Sequence, residues 1–174
     1  MAKTTYTFGI NATAFRKMIQ SAPKRGVQAM WKEVNGNTYY CDGHIIVKFK
    51  AVPFSVVAAS FGLPYGVEMS TRDFEKIFNS FNSGEYYPAT VSPYMYNAPS
   101  GKSSRLCNIV EGAGNACVID ERLLTPFASM RLYIGEKLAG IRMVESELVE
   151  AYALPVRLKA EDQPVLDLIA KGGN

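Results

Sequence analysis

The apolar positions of the chain repeat in three segments, Phe8–Ile19, Val67–Phe78 and Cys117–Ala128. Each segment opens with a short alternating or β-branched stretch that is typical of a strand. A residue type that commonly caps helices follows, and apolar residues then recur four, seven and eight positions after it, which makes one stripe along a helix. The caps are Asn11, Ser70 and Asp120, and the stripes are Phe15, Met18 and Ile19, then Phe74, Ile77 and Phe78, then Leu124, Phe127 and Ala128. The shared register predicts an internal repeat.

Strand signals follow the first and third predicted helices. Runs rich in β-branched and aromatic residues alternate there with short polar turns. The runs are Met30–Val34, Thr38–Cys41 and His44–Val52 after the first helix, and Arg131–Ile134, Gly140–Val144 and Val149–Leu158 after the third. Both units therefore predict the order β-α-β-β-β.

The middle unit is less regular. Its strand signals are Tyr87–Val91, Tyr94–Asn97 and Arg105–Val110, and they are interrupted by Pro88, Pro93 and Pro99. Proline cannot donate to a strand ladder, so it favours strand ends and edges. The polar stretch Asn97–Ser104 predicts a mobile loop.

Proline also affects the third helix, because Pro126 lies six residues after the predicted cap at Asp120. Proline is tolerated only in the first turn of a helix. Two arrangements remain open: a kinked helix, or a helix that restarts with Thr125 as cap and Pro126 at its first position.

Together these patterns predict an α+β fold of repeated β-α-β-β-β units, with helices on one face of antiparallel sheets. The units span about residues 4–52, 66–112 and 115–158, and form one region, 1–158. Residues 159–174 form a C-terminal tail.

Composition narrows the class of protein. A chain of 174 residues with 48% hydrophobic and 20% charged residues can build a core. No apolar run reaches the ~18 residues of a membrane helix, and the first residues lack the pattern of a signal peptide. Cys41, Cys107, Cys117 and the single histidine, His44, lack the spacing of a zinc site. We therefore expect a cytoplasmic protein without membrane contact, metal or other cofactor.

The sequence contains no clear pattern of catalytic residues. His44 and Asp42 would share a strand face, but no nucleophile accompanies them, and Gly101-Lys102-Ser103 lacks the first glycine of a phosphate-binding loop. The tyrosines at 86, 87, 94 and 96 could stack on single-stranded bases, although cross-strand packing is the commoner role. We expect a protein that is not an enzyme.

Charge is distributed unevenly along the chain. The net charge is +3, yet residues 1–32 hold six bases and no acid: Lys3, Arg16, Lys17, Lys24, Arg25 and Lys32. Such a segment permits contact with phosphates, and it is equally compatible with an ordinary solvated face.

Several strings in the chain resemble the DNA sliding clamps, the processivity rings of replicative polymerases, and in particular the bacterial beta clamp. Asp42-Gly43-His44 lies at a turn, as a similar string does in that family. Ser104-Arg105-Leu106 with Ile109-Val110-Glu111-Gly112 is similar to the family's S-R-L-I-E-G string, and residues 153–158 resemble its closing M-P-x-R-L strand. A bacterial clamp subunit has six units in three domains, so this shorter chain resembles a divergent form such as a phage encodes.

The resemblance implies a non-catalytic, homo-oligomeric scaffold in DNA replication or processing. It places helices towards double-stranded DNA, which implies phosphate contacts by Arg16, Lys17, Lys24, Arg25, Arg72 and Lys76. It implies a groove for peptides of replication or repair proteins, lined by Leu154, Pro155, Val156 and Leu158. The alternative for these four residues is simple alternation into a core.

The tail offers a second function. Gln163, Leu166, Asp167, Leu168 and Ile169 resemble a clamp-binding peptide, in which two apolar residues fill a pocket and a glutamine makes hydrogen bonds. The alternative structure is a short amphipathic helix capped by Asp162 and ended by Gly172-Gly173. The alternative function is a small phage-type adaptor or inhibitor that binds a protein partner through this peptide, without DNA contact.

Overall fold

The computed structural model describes residues 8–63, 67–68, 71–82, 84–100, 103–136, 140–145 and 147–172. Its helices are α1 (Ala12–Gln20), α2 (Phe54–Phe61), α3 (Thr71–Asn82), α4 (Glu121–Leu124) and α5 (Gln163–Ala170), with 3₁₀ turns at Pro23–Arg25 and Thr125–Phe127. Its strands are β1 (Met30–Val34), β2 (Asn37–Cys41), β3 (Ile45–Phe49), β4 (Val67–Glu68), β5 (Tyr86–Ser100), β6 (Ser103–Gly112), β7 (Asn115–Asp120), β8 (Arg131–Gly135), β9 (Ile141–Val144) and β10 (Val149–Ala153). The fold is α+β, as predicted.

The predicted helix α1 is confirmed. The Asn11 side chain accepts a hydrogen bond from the Ala14 backbone N–H at 2.9 Å, which satisfies one of the unpaired donors of the first turn. The stripe residues Phe15, Met18 and Ile19 are all buried. Phe15 lies at the centre of this core, and its ring centroid is 4.8 to 6.1 Å from those of Tyr40, Phe49, Phe61 and Phe127.

The predicted middle helix is also present as α3. Phe74 is buried, and Ile77 and Phe78 are half-buried against the same cluster. The predicted cap, Ser70, lies outside the described residues.

The third helix is divided at Pro126. Helix α4 begins after Asp120, whose side chain accepts from the Arg122 N–H, and a 3₁₀ turn with Pro126 near its start continues the chain. Thr125 begins this turn and is not its cap. Leu124 and Phe127 are buried, but Ala128 is exposed, so the predicted stripe is wrong at its last position because the turn changes the helical register.

The described strands form one sheet in the order β4-β1-β2-β3-β10-β9-β8-β5-β6-β7. All pairs are antiparallel except β1 with β4. The run α1-β1-β2-β3 and the run α4-β8-β9-β10 lie on the two sides of the β3–β10 pair, where Phe49 faces Val149 and Ile45 faces Ala153. The pairing of β3 with β10 therefore joins the two runs into one sheet.

Both faces of the central strands are covered. Ile45, Val47 and Phe49 pack with α1 and α2, whereas Ile46 packs with α3 on the opposite face, as alternation along a strand requires. On β6 and β7, Val110 and Ile119 face the first core, while Ile109 and Val118 face α5. The prediction of helices on one face only is wrong, because α3 and α5 cover apolar residues on the other.

The middle of the chain differs most from the prediction. The two strands predicted from Tyr87 to Asn97 are one long strand, β5, with a register shift between Val91 and Met95. The predicted loop Asn97–Ser104 is largely strand, since Asn97 pairs with Leu106 and Ser100 with Ser103. Two long strands thus follow α3 instead of three short ones. Helix α2 was not predicted, and it lies where the sequence pattern favoured no element.

The last predicted strand ends earlier than expected. Strand β10 stops at Ala153, and residues 154–162 continue without regular structure across the sheet. Val156 N–H donates to the Val118 carbonyl at 2.7 Å, which ties this segment to β7. Among the described residues, no helix is both long and apolar enough to cross a membrane.

Two glycines with similar backbone angles allow a test of this arrangement. Gly140 and Gly114 have φ of +82° and +74°, so alanine is strained at both. A Cβ at Gly140 would lie 2.2 Å from the Ala153 carbonyl oxygen, whereas a Cβ at Gly114 would meet nothing within 4 Å. We expect Gly114→Ala to lower the free energy of unfolding by about 1 kcal/mol and Gly140→Ala by about 3 kcal/mol or more, measured by urea denaturation. Equal losses would contradict the close approach of Gly140 to β10.

Candidate functional site

The exposed face of α1 and the 3₁₀ turn that follows it carry a group of cations. Arg16, Lys17 and Lys24 are exposed, and none forms an ion pair with a described residue. The Asn11 N–H donates to the Pro126 carbonyl at 2.9 Å and holds α1 beside the turn that follows α4. Lys17 and Arg122 from the two helices line one shallow cavity of about 280 Å³. Two of the predicted phosphate contacts are therefore accessible on α1 and a third, Lys24, on the turn that follows it, while the neighbouring α4 carries the exposed acid Glu121.

Arg25 has a different role from the predicted one. Its side chain is 2% exposed, and its guanidinium donates to the Asp42 carboxylate at 2.6 Å and to the Met18 carbonyl at 3.0 Å. A buried charge of this kind must be paired, because an unpaired charge away from water is strongly unfavourable. The prediction that Arg25 contacts phosphates is wrong: the side chain ties the end of α1 to the β2–β3 turn.

Asp42 is the centre of a buried polar cluster at that turn. Its carboxylate also accepts from the Tyr40 hydroxyl at 3.0 Å and from the backbone N–H groups of His44 and Ile45 at 2.9 and 3.1 Å. Burial and the neighbouring Asp42 carboxylate raise the pKa of Tyr40 well above its usual range. The Asp42-Gly43-His44 string therefore builds a turn. Arg25 also lies 3.3 Å from His44 Nδ1 and so connects the two side chains.

The remaining predicted phosphate contacts do not join this group. Lys76 is exposed on α3, and α3 packs on the opposite face of the sheet from α1. The side chain of Arg72 lies outside the described residues. A duplex that contacts α1 would not reach Lys76 on the same copy.

The predicted groove segment lies at the surface between two cavities. Leu154 is exposed, and Pro155, Val156 and Leu158 are half-buried. One cavity, of about 370 Å³, lies between this segment, β7 and α5. The other, of about 270 Å³, is lined by His44, Arg105, Asp120, Leu123 and residues 154–157. Val156 and Leu158 also contact the apolar cluster under α5, so the segment takes part in packing as well as in surface cavities.

The tail forms a helix on its own chain. Leu166 is buried and Ile169 half-buried against β6 and β7, while Leu168 is 51% exposed. Gln163 donates to the Asp167 carboxylate at 2.9 Å, within the same helix. Asp162 accepts from the Tyr96 hydroxyl, and this hydrogen bond, with a smaller effect of desolvation, raises the pKa of Tyr96 to about 12. In this position the Leu166 side chain is not available to a partner.

The other predicted features have structural partners. Tyr86 packs on Tyr152 with ring centroids 5.7 Å apart, and the Tyr87 hydroxyl donates to Glu85, whereas Tyr94 is 60% exposed. All three cysteines are buried, and burial raises the pKa of Cys117 to about 12. No group of three or more metal-ligating side chains occurs in the described part of the chain.

Three arginines around Asp120 were not predicted as site residues. Asp120 accepts from Arg122 at 2.7 and 3.0 Å and lies 3.3 Å from Arg105. Burial alone would raise the pKa of Asp120. The hydrogen bonds from Arg122 and the charges of Arg122 and Arg105 together outweigh burial, and the pKa lies below its usual range. Arg157 lines the same 270 Å³ cavity as Arg105. Arg105 and Arg157 lie within the two strings that resemble sliding clamps, and the sequence analysis drew on these strings for that resemblance alone. The two arginines are far apart in the sequence, so no local pattern predicts that they share a cavity.

Comparisons of the chain with models of known protein families, with curated proteins and with solved structures find no match.

The buried position of Arg25 makes a prediction about stability. We expect Arg25→Gln to lower the free energy of unfolding by about 3 to 5 kcal/mol, because it leaves Asp42 buried without its cation. The neighbouring Lys24→Gln, which alters an exposed side chain, should change it by less than about 0.5 kcal/mol. Urea denaturation measures both. If the two variants are equally stable, Arg25 is not the buried partner of Asp42 in solution.

Proposed function

We propose that the protein is a non-catalytic, clamp-like scaffold in DNA replication or processing, which contacts the phosphates of double-stranded DNA through the exposed face of α1. The observation that carries this proposal is the position of Arg16, Lys17 and Lys24. All three are exposed on the helical layer that covers one face of the sheet, and none is paired with a described carboxylate.

Contacts of this kind depend on charge and not on base sequence. Each lysine or arginine that neutralises a phosphate releases condensed counterions, so affinity falls as salt rises. Unpaired cations suit this role, because a phosphate does not have to displace a carboxylate first. Arg25 is excluded from it by burial, and Lys76 by its position on the opposite face.

The same order of elements in the two α-β-β-β runs supports the clamp-like part of the proposal. The resemblance implies two units per domain, and the described chain has two such runs joined at β3 and β10. One domain cannot surround a duplex, so the proposal includes a homo-oligomer. Replication or repair proteins would bind at the surface segment 154–158, beside its two cavities.

One observation favours the adaptor or inhibitor as a second candidate. Helix α5 carries Val165 and Leu168 at 60% and 51% exposure, beside a buried Leu166. Exposed apolar residues on a short helix are suited to a protein partner. In this second function the protein would bind through α5 and would not contact DNA.

Charge reversal on α1 tests the DNA proposal. For the double variant Arg16→Glu/Lys17→Glu, we expect the plot of log affinity against log salt to become less steep by about 2. Two phosphate contacts are lost, and each contributes roughly −0.9 to the slope. The measurement is fluorescence anisotropy of a labelled duplex over a series of salt concentrations.

Lys76→Glu is the matched control, since it reverses an exposed charge on the opposite face. It should bind DNA as the unaltered chain does. If Lys76→Glu weakens binding as much as the α1 variant, or if the unaltered chain does not bind the duplex, the proposed surface is wrong.

Solution mass tests the oligomer and the tail separately. Light scattering should give an oligomer for the full chain, for a chain ending at Leu158 and for Leu168→Glu, which alters an exposed side chain of α5. A monomer in every form would contradict the ring. An oligomer that both Leu168→Glu and the truncation at Leu158 convert to a monomer would show that α5 docks on a neighbouring copy, and would favour the second function.

A further inference from the structure

The cavity of about 270 Å³ between the β2–β3 turn, β6 and residues 154–157 is lined by three side chains that can donate hydrogen bonds, His44, Arg105 and Arg157. Arg105 Nε is buried and has no hydrogen-bond partner within the described part of the chain. Nε itself has almost no accessible surface, so a ligand in the cavity would meet the outer nitrogens of the Arg105 guanidinium, one of which lies 3.3 Å from Asp120.

His44 supplies a second donor. Its Nδ1 lies 3.3 Å from the Arg25 guanidinium, which can donate hydrogen bonds and cannot accept them. Nδ1 must therefore accept, and the ring proton lies on Nε2. Because the buried Arg25 occupies Nδ1, Nε2 is the ring donor that remains for the cavity, which His44 lines.

The charge around the cavity is positive. Arg157 lies at the rim, is exposed, and has no ion pair with a described residue. The one acid in the lining is Asp120, and it is already bound by Arg105 at 3.3 Å and by Arg122 at 2.7 Å. The two arginines and one carboxylate of the lining leave a formal excess of one positive charge, and Arg122, outside the lining, is paired with the same carboxylate.

We propose that this cavity is a phosphate-binding site, lined by the guanidinium groups of Arg105 and Arg157 and by His44 Nε2. A tetrahedral phosphate offers acceptors in several directions, which suits three donors from different elements better than a planar carboxylate does. The walls formed by Leu123, Leu154 and Pro155 are apolar and strengthen such hydrogen bonds by lowering the local dielectric. The cavity, of about 270 Å³, has room for a phosphate group.

The site does not depend on the DNA contact proposed for α1, because it lies at a different place and is tested with small anions. The phosphate can be a free monoester or inorganic ion, or a diester of a nucleic-acid backbone. Inorganic phosphate and dimethyl phosphate distinguish these two sources.

His44 is the only histidine of the chain, so its imidazole NMR signals report on the site without ambiguity. At constant pH and ionic strength, we expect these signals to shift saturably with inorganic phosphate or with dimethyl phosphate. Sodium chloride at the same ionic strength should have no such effect. A shift that does not saturate, or that acetate produces at lower concentration than either phosphate, would overturn the proposal.

Variants assign the donors. Arg105→Gln should weaken phosphate binding by about tenfold or more, since a charge-assisted hydrogen bond is lost. Arg157→Gln, at the exposed rim, should weaken it in the same direction, and it preserves the test if Arg105→Gln fails to fold. Arg131→Gln alters an exposed arginine that does not line the cavity and should bind as the unaltered chain does. Unchanged affinity in the two cavity variants would overturn the assignment, whatever the outcome of the DNA experiment.

Discussion

The pairing of β3 with β10 is the constraint on which the rest of the structure depends. These strands are distant in the chain, yet five residue pairs align them antiparallel from Ile45–Ala153 to Phe49–Val149. Because successive side chains point to opposite faces, this one register decides which residues enter the core under α1 and which enter the core under α3. A shift by one residue would exchange the two sets and lose both cores.

A second buried interaction sets the position of the helical layer relative to the sheet. Arg25 and Asp42 connect the end of α1 to the β2–β3 turn, and the same turn carries His44 to the cavity beside residues 154–157. The basic N-terminal segment is therefore divided by the fold. Arg25 is used inside the protein and Lys32 pairs with Glu68 at 2.8 Å, while Arg16, Lys17 and Lys24 remain at the surface.

Much of the fold could be predicted from local patterns, because caps and apolar stripes act over a few residues. Asn11 and the Phe15 stripe give α1 directly, and the strand β1 was predicted with its observed bounds. The face of the sheet that α3 covers could not be predicted, since it depends on pairings between distant strands. The burial of Arg25 was missed for the same reason: its partner, Asp42, is distant in sequence. The Arg105, His44 and Arg157 cavity brings together three separate segments, so no local spacing could reveal it.

The prolines of β5 have a consequence for self-association. Among the described residues, the pairing of β8 with β5 covers only Tyr86–Ala89, and the rest of β5 pairs only with β6, which leaves one side of that part of the strand without a described partner. An open strand edge is a template on which other chains can assemble into aggregates. Pro93 and Pro99 have no N–H to offer on that edge, and the irregularity between Val91 and Met95 bends it. The prolines that weaken the strand signal in the sequence therefore make this edge a poorer template for another chain.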